Sequence, residues 1–203
     1  MDIALSNEQQ LLQDTAARLA QSIAVTSPEP IPAGAALDAQ WRHVVELGVP
    51  TLRSPELCGL DASGVETAVV IEQLARTLCA VPVVGQGILA AELLQAAGCV
   101  EELERLAKGG LRAAPVLGDT LIGFAAPHQP GVAFDAAGAT HALMVADVDG
   151  QRRLLCAPLG SGDDGATALD LTRECRDVAA DLRNSATVTG KQIDDQRLSL
   201  IHI

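Results

Sequence analysis

Groups able to do chemistry are scarce in this chain and widely spaced. The five cysteines, Cys58, Cys79, Cys99, Cys156 and Cys175, include no C-x-x-C pair. An odd, unpatterned set with no signal peptide ahead of it predicts free thiols in a reducing, cytoplasmic setting rather than a disulfide frame. The four histidines, His43, His128, His141 and His202, show no ligand spacing among themselves or with the cysteines, so no metal site is expected. His128 lies between Pro127 and Pro130 and has no neighbour to form an acid–base pair, which predicts an exposed loop position. Glu56, in a Pro-Glu turn, could pair with Arg53, cap a helix or stay solvated. Arg173 could bridge to Asp170 or Glu174, or meet an anionic ligand. No glycine-rich phosphate loop follows a strand, and no Ser/His/Asp arrangement stands in a suitable context. The residues themselves nominate no catalytic group.

The elements that must position these groups divide the chain in two. Hydrophobic residues make up 48% of the 203 positions, yet the aromatics are only Trp41, Phe124 and Phe134. The core is therefore aliphatic and alanine-rich, a composition that favours helix in the first half. Ser6 with Gln9 forms a capping box ahead of a helix whose stripe is Leu11, Leu12, Thr15 and Leu19. The prolines between Ser27 and Gly34 demand a loop. A second helix, Ala36 to Leu47, buries Leu37, Trp41, Val44 and Val45 and stops at Gly48. Ser63 and Glu66 open a third, running to about Cys79 on Val65, Val69, Val70, Leu74 and Leu78. Further helices are expected at Gly85 to Ala97 and Val100 to Lys108, together making an irregular antiparallel bundle.

After Gly110 the texture changes to short β-friendly runs: Thr120–Phe124, His141–Val145, Arg153–Cys156, Asp177–Leu182 and Ala186–Thr189. Asp149-Gly150 is a two-residue hairpin signal. The expected fold class is α+β, with an all-α domain at 1–110 and a small antiparallel β-domain at 111–195. The tail at 196–203 is apolar and capless, and reads either as non-native sequence or as an edge strand. A net charge of −12 repels phosphate backbones, so nucleic acid is excluded as a partner. A polyanionic ligand would need local Arg, Lys or helix N-termini. The longest apolar run falls short of a membrane span, which predicts a soluble protein.

One run of residues carries a resemblance. Trp41-Arg42-His43-Val44-Val45-Glu46-Leu47-Gly48 is followed by Arg53-Ser54-Pro55-Glu56-Leu57-Cys58-Gly59-Leu60 and then by the helix containing Val69-Val70-Ile71-Glu72-Gln73-Leu74. This order resembles the N-terminal helical domain of the acyl-CoA dehydrogenase family, in which a Pro-Glu-Glu-Tyr-Gly-Gly turn follows a Trp-bearing helix. The similarity extends over residues 1–108 and weakens beyond. Local likeness returns at Ala139–Ala146 and at Leu169-Asp170-Leu171-Thr172-Arg173.

The resemblance implies FAD as cofactor, an acyl-CoA substrate (fatty-acid or sterol side chain), and homo- or hetero-oligomeric packing. In such enzymes a glutamate of a C-terminal four-helix domain removes the α-proton while the flavin takes a hydride from the β-carbon. The sequence stops where that domain would begin, so the reading is a truncated chain, inactive alone, with no catalytic base. Its substrate- and cofactor-binding residues stay unassigned. The family's flavin segment, Thr-Glu-Pro followed by Gly-Ser-Asp, has no match in Leu117–Gly131. That departure implies an alternative, a non-catalytic partner subunit of a heteromeric acyl-CoA dehydrogenase. A third alternative is an unrelated acidic α+β binding module.

Overall fold

The computed structural model describes residues 4–25, 32–54, 57, 62–118, 120, 123–125, 129–160 and 172–194. The Pro55-Glu56 turn, the proline loop at 26–31, His128, the Asp170 turn and the tail at 196–203 lie outside the described residues.

Among the described residues five α-helices occupy the first half: α1 (Asn7–Ser22), α2 (Ala35–Glu46), α3 (Gly64–Ala75), α4 (Ala90–Ala96) and α5 (Val100–Ala107). Ser6 and Gln9 make the reciprocal capping box that opens α1. Its inward face differs from the expected stripe. Leu11 is 65% exposed, while Ala16 and Ala20 are buried, because small residues let α1 lie close against α3. The two run in the same direction rather than antiparallel. Gln9 Nε2 donates to Glu66 near their starts (2.8 Å), and the Val25 N–H reaches the Thr77 carbonyl beyond their ends (3.2 Å). Trp41, Val44, Val70 and Leu74 fill the space between α1, α2 and α3.

α3 stops at Ala75, short of the expected Cys79, and leaves Leu78 in the left-handed region (φ 53°) and 61% exposed. Beyond Pro82 the chain forms not one α-helix but a π-helical stretch, Val83–Leu89, that tightens into α4. Both Gly98 and Gly109 take positive φ where α4 and α5 end.

Among the described residues six strands follow: β1 (Ala113–Leu117), β2 (Gly131–Ala133), β3 (His141–Val148), β4 (Gln151–Pro158), β5 (Arg176–Val178) and β6 (Thr187–Thr189). They form one sheet in the order β5-β2-β1-β3-β4-β6. Pairing is antiparallel except between β1 and β3. The Asp149-Gly150 hairpin forms as its residues dictate, both at positive φ, with Val148 opposite Gln151. Two strands went unread in the sequence, β1 because Pro115 sits at its centre and β2 because it is only three residues long. The strand expected at Asp177–Leu182 is only Arg176–Val178, and Ala180–Ser185 is a 3₁₀ turn.

The sheet is covered on both faces. Leu143, Val145 and Leu154 pack against Leu93, Leu94, Leu103 and Leu106 of α4 and α5. Ala142, Met144, Ala146, Leu155 and Ala157 look the other way, into an alanine-rich second core with Val178. Each fully buried leucine is worth roughly 1.5–3 kcal/mol, so the α4–α5 layer is what holds sheet and helices together.

Gly190 shows how tight that join is. It has φ 68°, and a Cβ there would meet the Ala97 carbonyl and the Cys99 Sγ. Gly190→Ala should therefore cost about 2–4 kcal/mol, from overpacking and left-handed strain combined. A urea denaturation midpoint equal to that of the wild type would refute this.

Candidate functional site

Three polar regions could in principle host chemistry. The first is a buried seam between the π-helix and the sheet. The wider π turn presents Gln86, fully buried, toward the loop after β2, where its Nε2 donates to the carbonyls of Asp135 and Ala137, both at 2.8 Å. Its Oε1 accepts from Arg112 Nε at 2.7 Å. Arg112, just ahead of β1, also donates to the Ala137 carbonyl at 2.7 Å, approaches Asp38 Oδ1 at 3.5 Å and lies over the Trp41 ring at 4.6 Å. Burial lowers its pKa to about 10, with Asp38 opposing the fall. At this value it stays a cation at neutral pH.

Asp135 completes the seam. Its backbone is left-handed (φ 58°), a conformation aspartate tolerates better than most residues. One carboxylate oxygen accepts the Gly85 N–H at 2.9 Å and the other faces Arg173 Nη1 at 3.3 Å. Burial pushes its pKa up, although Arg173 and the Gly85 amide pull the other way. Arg173 donates as well to the Val81 carbonyl at 3.1 Å. Its partner is thus Asp135, thirty-eight residues away, and not Glu174, which pairs with Arg176 at 2.6 Å. Gly85 and Gly138 are required here, since a Cβ at either would run into Asp135 or Arg112. Every charged group named in the seam has a protein partner, so this region fastens the two halves. Trp41, read as core, is core: it is 3% exposed.

The second region is the end of β1, where the resemblance places flavin contacts. Here Gly118 N–H donates to the Gly123 carbonyl at 2.7 Å and Leu117 bridges to Phe124, closing the chain back on itself. A Cβ on Gly131 would strike Val116, Ala125 and the Leu117 carbonyl. Among the described residues of 118–131, only Thr120 and Gln129 carry polar side chains. The sequence of this stretch carries neither Thr-Glu-Pro nor Gly-Ser-Asp, the family's flavin segment; Asp119 and His128 within it lie outside the described residues.

The third region lies where the segment before the Pro55 turn meets α4. Arg53 Nε pairs with Glu92 Oε1 at 2.9 Å, and Ser54 Oγ donates to Gln95 Oε1 at 2.7 Å. Glu92, which carried no sequence signal beyond its place on a helix, is a partner of Arg53; Glu56, the partner expected from the sequence, lies outside the described residues. Burial raises the Glu92 pKa, partly offset by Arg53. The thiols of Cys79, Cys99 and Cys156 are likewise pushed up by burial, which makes them poor nucleophiles. Among the described residues no group of three or more His, Cys, Asp or Glu could hold a metal ion, and no helix is long and apolar enough to cross a membrane.

With this geometry in hand, comparison with known proteins is informative in one direction. No protein-family model matches the chain, and the search of curated proteins returns no match. Solved structures do match. A prolyl acyl carrier protein oxidase, AnaB, is 14% identical over 95% of this chain and 60% of its own, with a TM-score of 0.66. The ChsE4-ChsE5 complex from Mycobacterium tuberculosis is 11% identical over 96% of this chain and 58% of its own, at 0.60. Butyryl-CoA dehydrogenase from Megasphaera elsdenii is 16% identical over 99% and 63%, at 0.53. These likenesses show the fold: helices and sheet are arranged as in the acyl-CoA dehydrogenases, and the resemblance first drawn from residues 1–108 holds at that level. The chain spans about 60% of the length of these structures.

Two measurements test the electrostatics. Gln86→Leu removes the side-chain donor to the Asp135 carbonyl, one of two donors to the Ala137 carbonyl and the acceptor of Arg112 Nε at once, and should destabilise the protein by about 2–4 kcal/mol; a loss under ~1 kcal/mol in chemical denaturation would contradict the seam. For Glu92, a carboxyl pKa raised in the fold means its stabilising contribution is full below the ordinary value of 4.5 and is lost as pH rises through the folded value. Glu92→Gln should therefore gain on the wild type as pH increases from 4.5. A midpoint difference that stays constant from acid to neutral pH would show that Glu92 is not perturbed.

Proposed function

We propose that this chain supplies the helical and sheet layers of an FAD-linked oxidoreductase of acyl-CoA dehydrogenase type, acting on an acyl-CoA with a fatty-acid or sterol side chain, and inactive alone. The observation supporting it is the joint fold: likeness extends over 95% or more of this chain in each of the three structures above, across both layers. We take 1–110 and 111–195 as its two domains, and place it in the cytoplasm as part of an oligomer. Catalysis needs a base and an acyl pocket, which in this reading come from further structure, in the same polypeptide or in a partner.

A second reading is favoured by the lack of the family's Thr-Glu-Pro and Gly-Ser-Asp residues in 117–131. In it the chain is the non-catalytic subunit of a heteromeric acyl-CoA dehydrogenase, and its partner holds the flavin. That one of the similar structures is a complex of two named components, ChsE4 and ChsE5, agrees with this reading.

Incubation of the purified chain with FAD, followed by desalting and a visible spectrum, separates the two. A retained flavin band supports the first reading. A colourless protein that co-purifies from its native source with an acyl-CoA dehydrogenase-like flavoprotein supports the second. A colourless chain with no such companion, and no acyl-CoA oxidation in its presence, sinks both.

A further inference from the structure

The helical half contains one polar feature that neither the seam nor the proposed activity uses. A cleft opens between the 3₁₀ turn Val49–Thr51, the first turns of α3 and the outer face of α4. Its walls carry Arg53, Ser54, Thr67, Glu92 and Gln95, an unusual concentration of polar groups inside an aliphatic bundle. Four of these are already paired, as Arg53 with Glu92 and Ser54 with Gln95. Thr67 is not. It is 3% exposed, and its Oγ1 has no hydrogen-bond partner.

A buried hydroxyl left in this state is costly, and helical threonines ordinarily escape the cost by bonding to the carbonyl one turn back. Thr67 does not do so, and it is one of the residues that line the cleft. The space open to water centres there is about 10 Å³, roughly what one water needs. A water in such a place needs at least two polar partners. Thr67 Oγ1 is one. Gln95 Oε1 is a second, because a carbonyl oxygen has two lone pairs and Ser54 uses one of them.

We propose that this cleft is a binding site for a single water molecule, held between the Thr67 hydroxyl and the Gln95 amide oxygen. The water joins α3 to the Ser54–Gln95 pair, so three elements rather than two grip the residues that lead into the Pro55 turn. It is a fixed part of the helical domain, and the site stands whether or not the chain belongs to a flavoenzyme.

The sign of one isosteric substitution tests it. If the cleft holds water, Thr67→Val strands that water and should lower the melting temperature of the full chain by about 2–4 °C. Thr67→Ser, which keeps the hydroxyl, should recover most of the loss. If the cleft is dry, Thr67→Val removes an unpaired hydroxyl at constant shape and the melting temperature rises. A crystal structure at a resolution that shows ordered solvent gives the independent reading. Density within hydrogen-bond distance of both Thr67 Oγ1 and Gln95 Oε1 is expected. An empty cleft, a water that misses Thr67, or a stabilised Thr67→Val variant overturns the proposal.

Discussion

The guanidinium of Arg112 is a charge placed where it has almost no water, and much of the molecule is arranged around keeping it there. Gln86 and the Ala137 carbonyl hold its donors in plane, and the Trp41 ring supports its face. Removing any one partner would leave a buried donor without compensation, which is why such networks are all-or-nothing. Gln86 can reach both Arg112 and the loop after β2 because the backbone around it is a π-helix. That loop can receive it because Asp135 accepts a left-handed backbone and Gly138 has no side chain. A strained aspartate, two intolerant glycines and an irregular helix thus have a single cause. They let helices and sheet share a polar boundary closed by direct hydrogen bonds.

Around this boundary the packing is achieved with small side chains. Three aromatic residues in 203 leave little bulk to fill space, so the fold brings backbones close instead. α1 touches α3 through Ala16 and Ala20, and the outer face of the sheet is built largely of alanine. Such a core gains less per residue than one rich in leucine or phenylalanine. The buried hydrogen bonds of the seam then contribute a larger share of the orientation between layers.

How far the sequence announced this depends on the range of each interaction. Local signals were readable. The Ser6 capping box, the Gly48 stop and the Asp149-Gly150 hairpin depend on neighbours within four residues, and all three formed. The buried face of α1 was misjudged because periodicity ranks leucine above alanine, whereas close helix contact prefers alanine. β1 was lost to Pro115, a local veto that parallel pairing with β3 overrides. The partners of Arg53 and Arg173 lie thirty-eight or more residues away, at Glu92 and Asp135, and no spacing rule reaches that far. The candidate site was the least legible part, since it consists of such long-range pairs and of a flavin segment recognisable only by what it lacks.

The sheet ends on both sides in strands of three residues, β5 and β6. A longer exposed edge would present a row of unpaired amides and carbonyls on which another chain could add a strand. Edges this short offer little template, and the eight-residue strands most capable of such pairing, β3 and β4, are both interior. Strand addition along these described edges is thereby disfavoured, and a partner that docks there would be selected by side chains more than by backbone pairing.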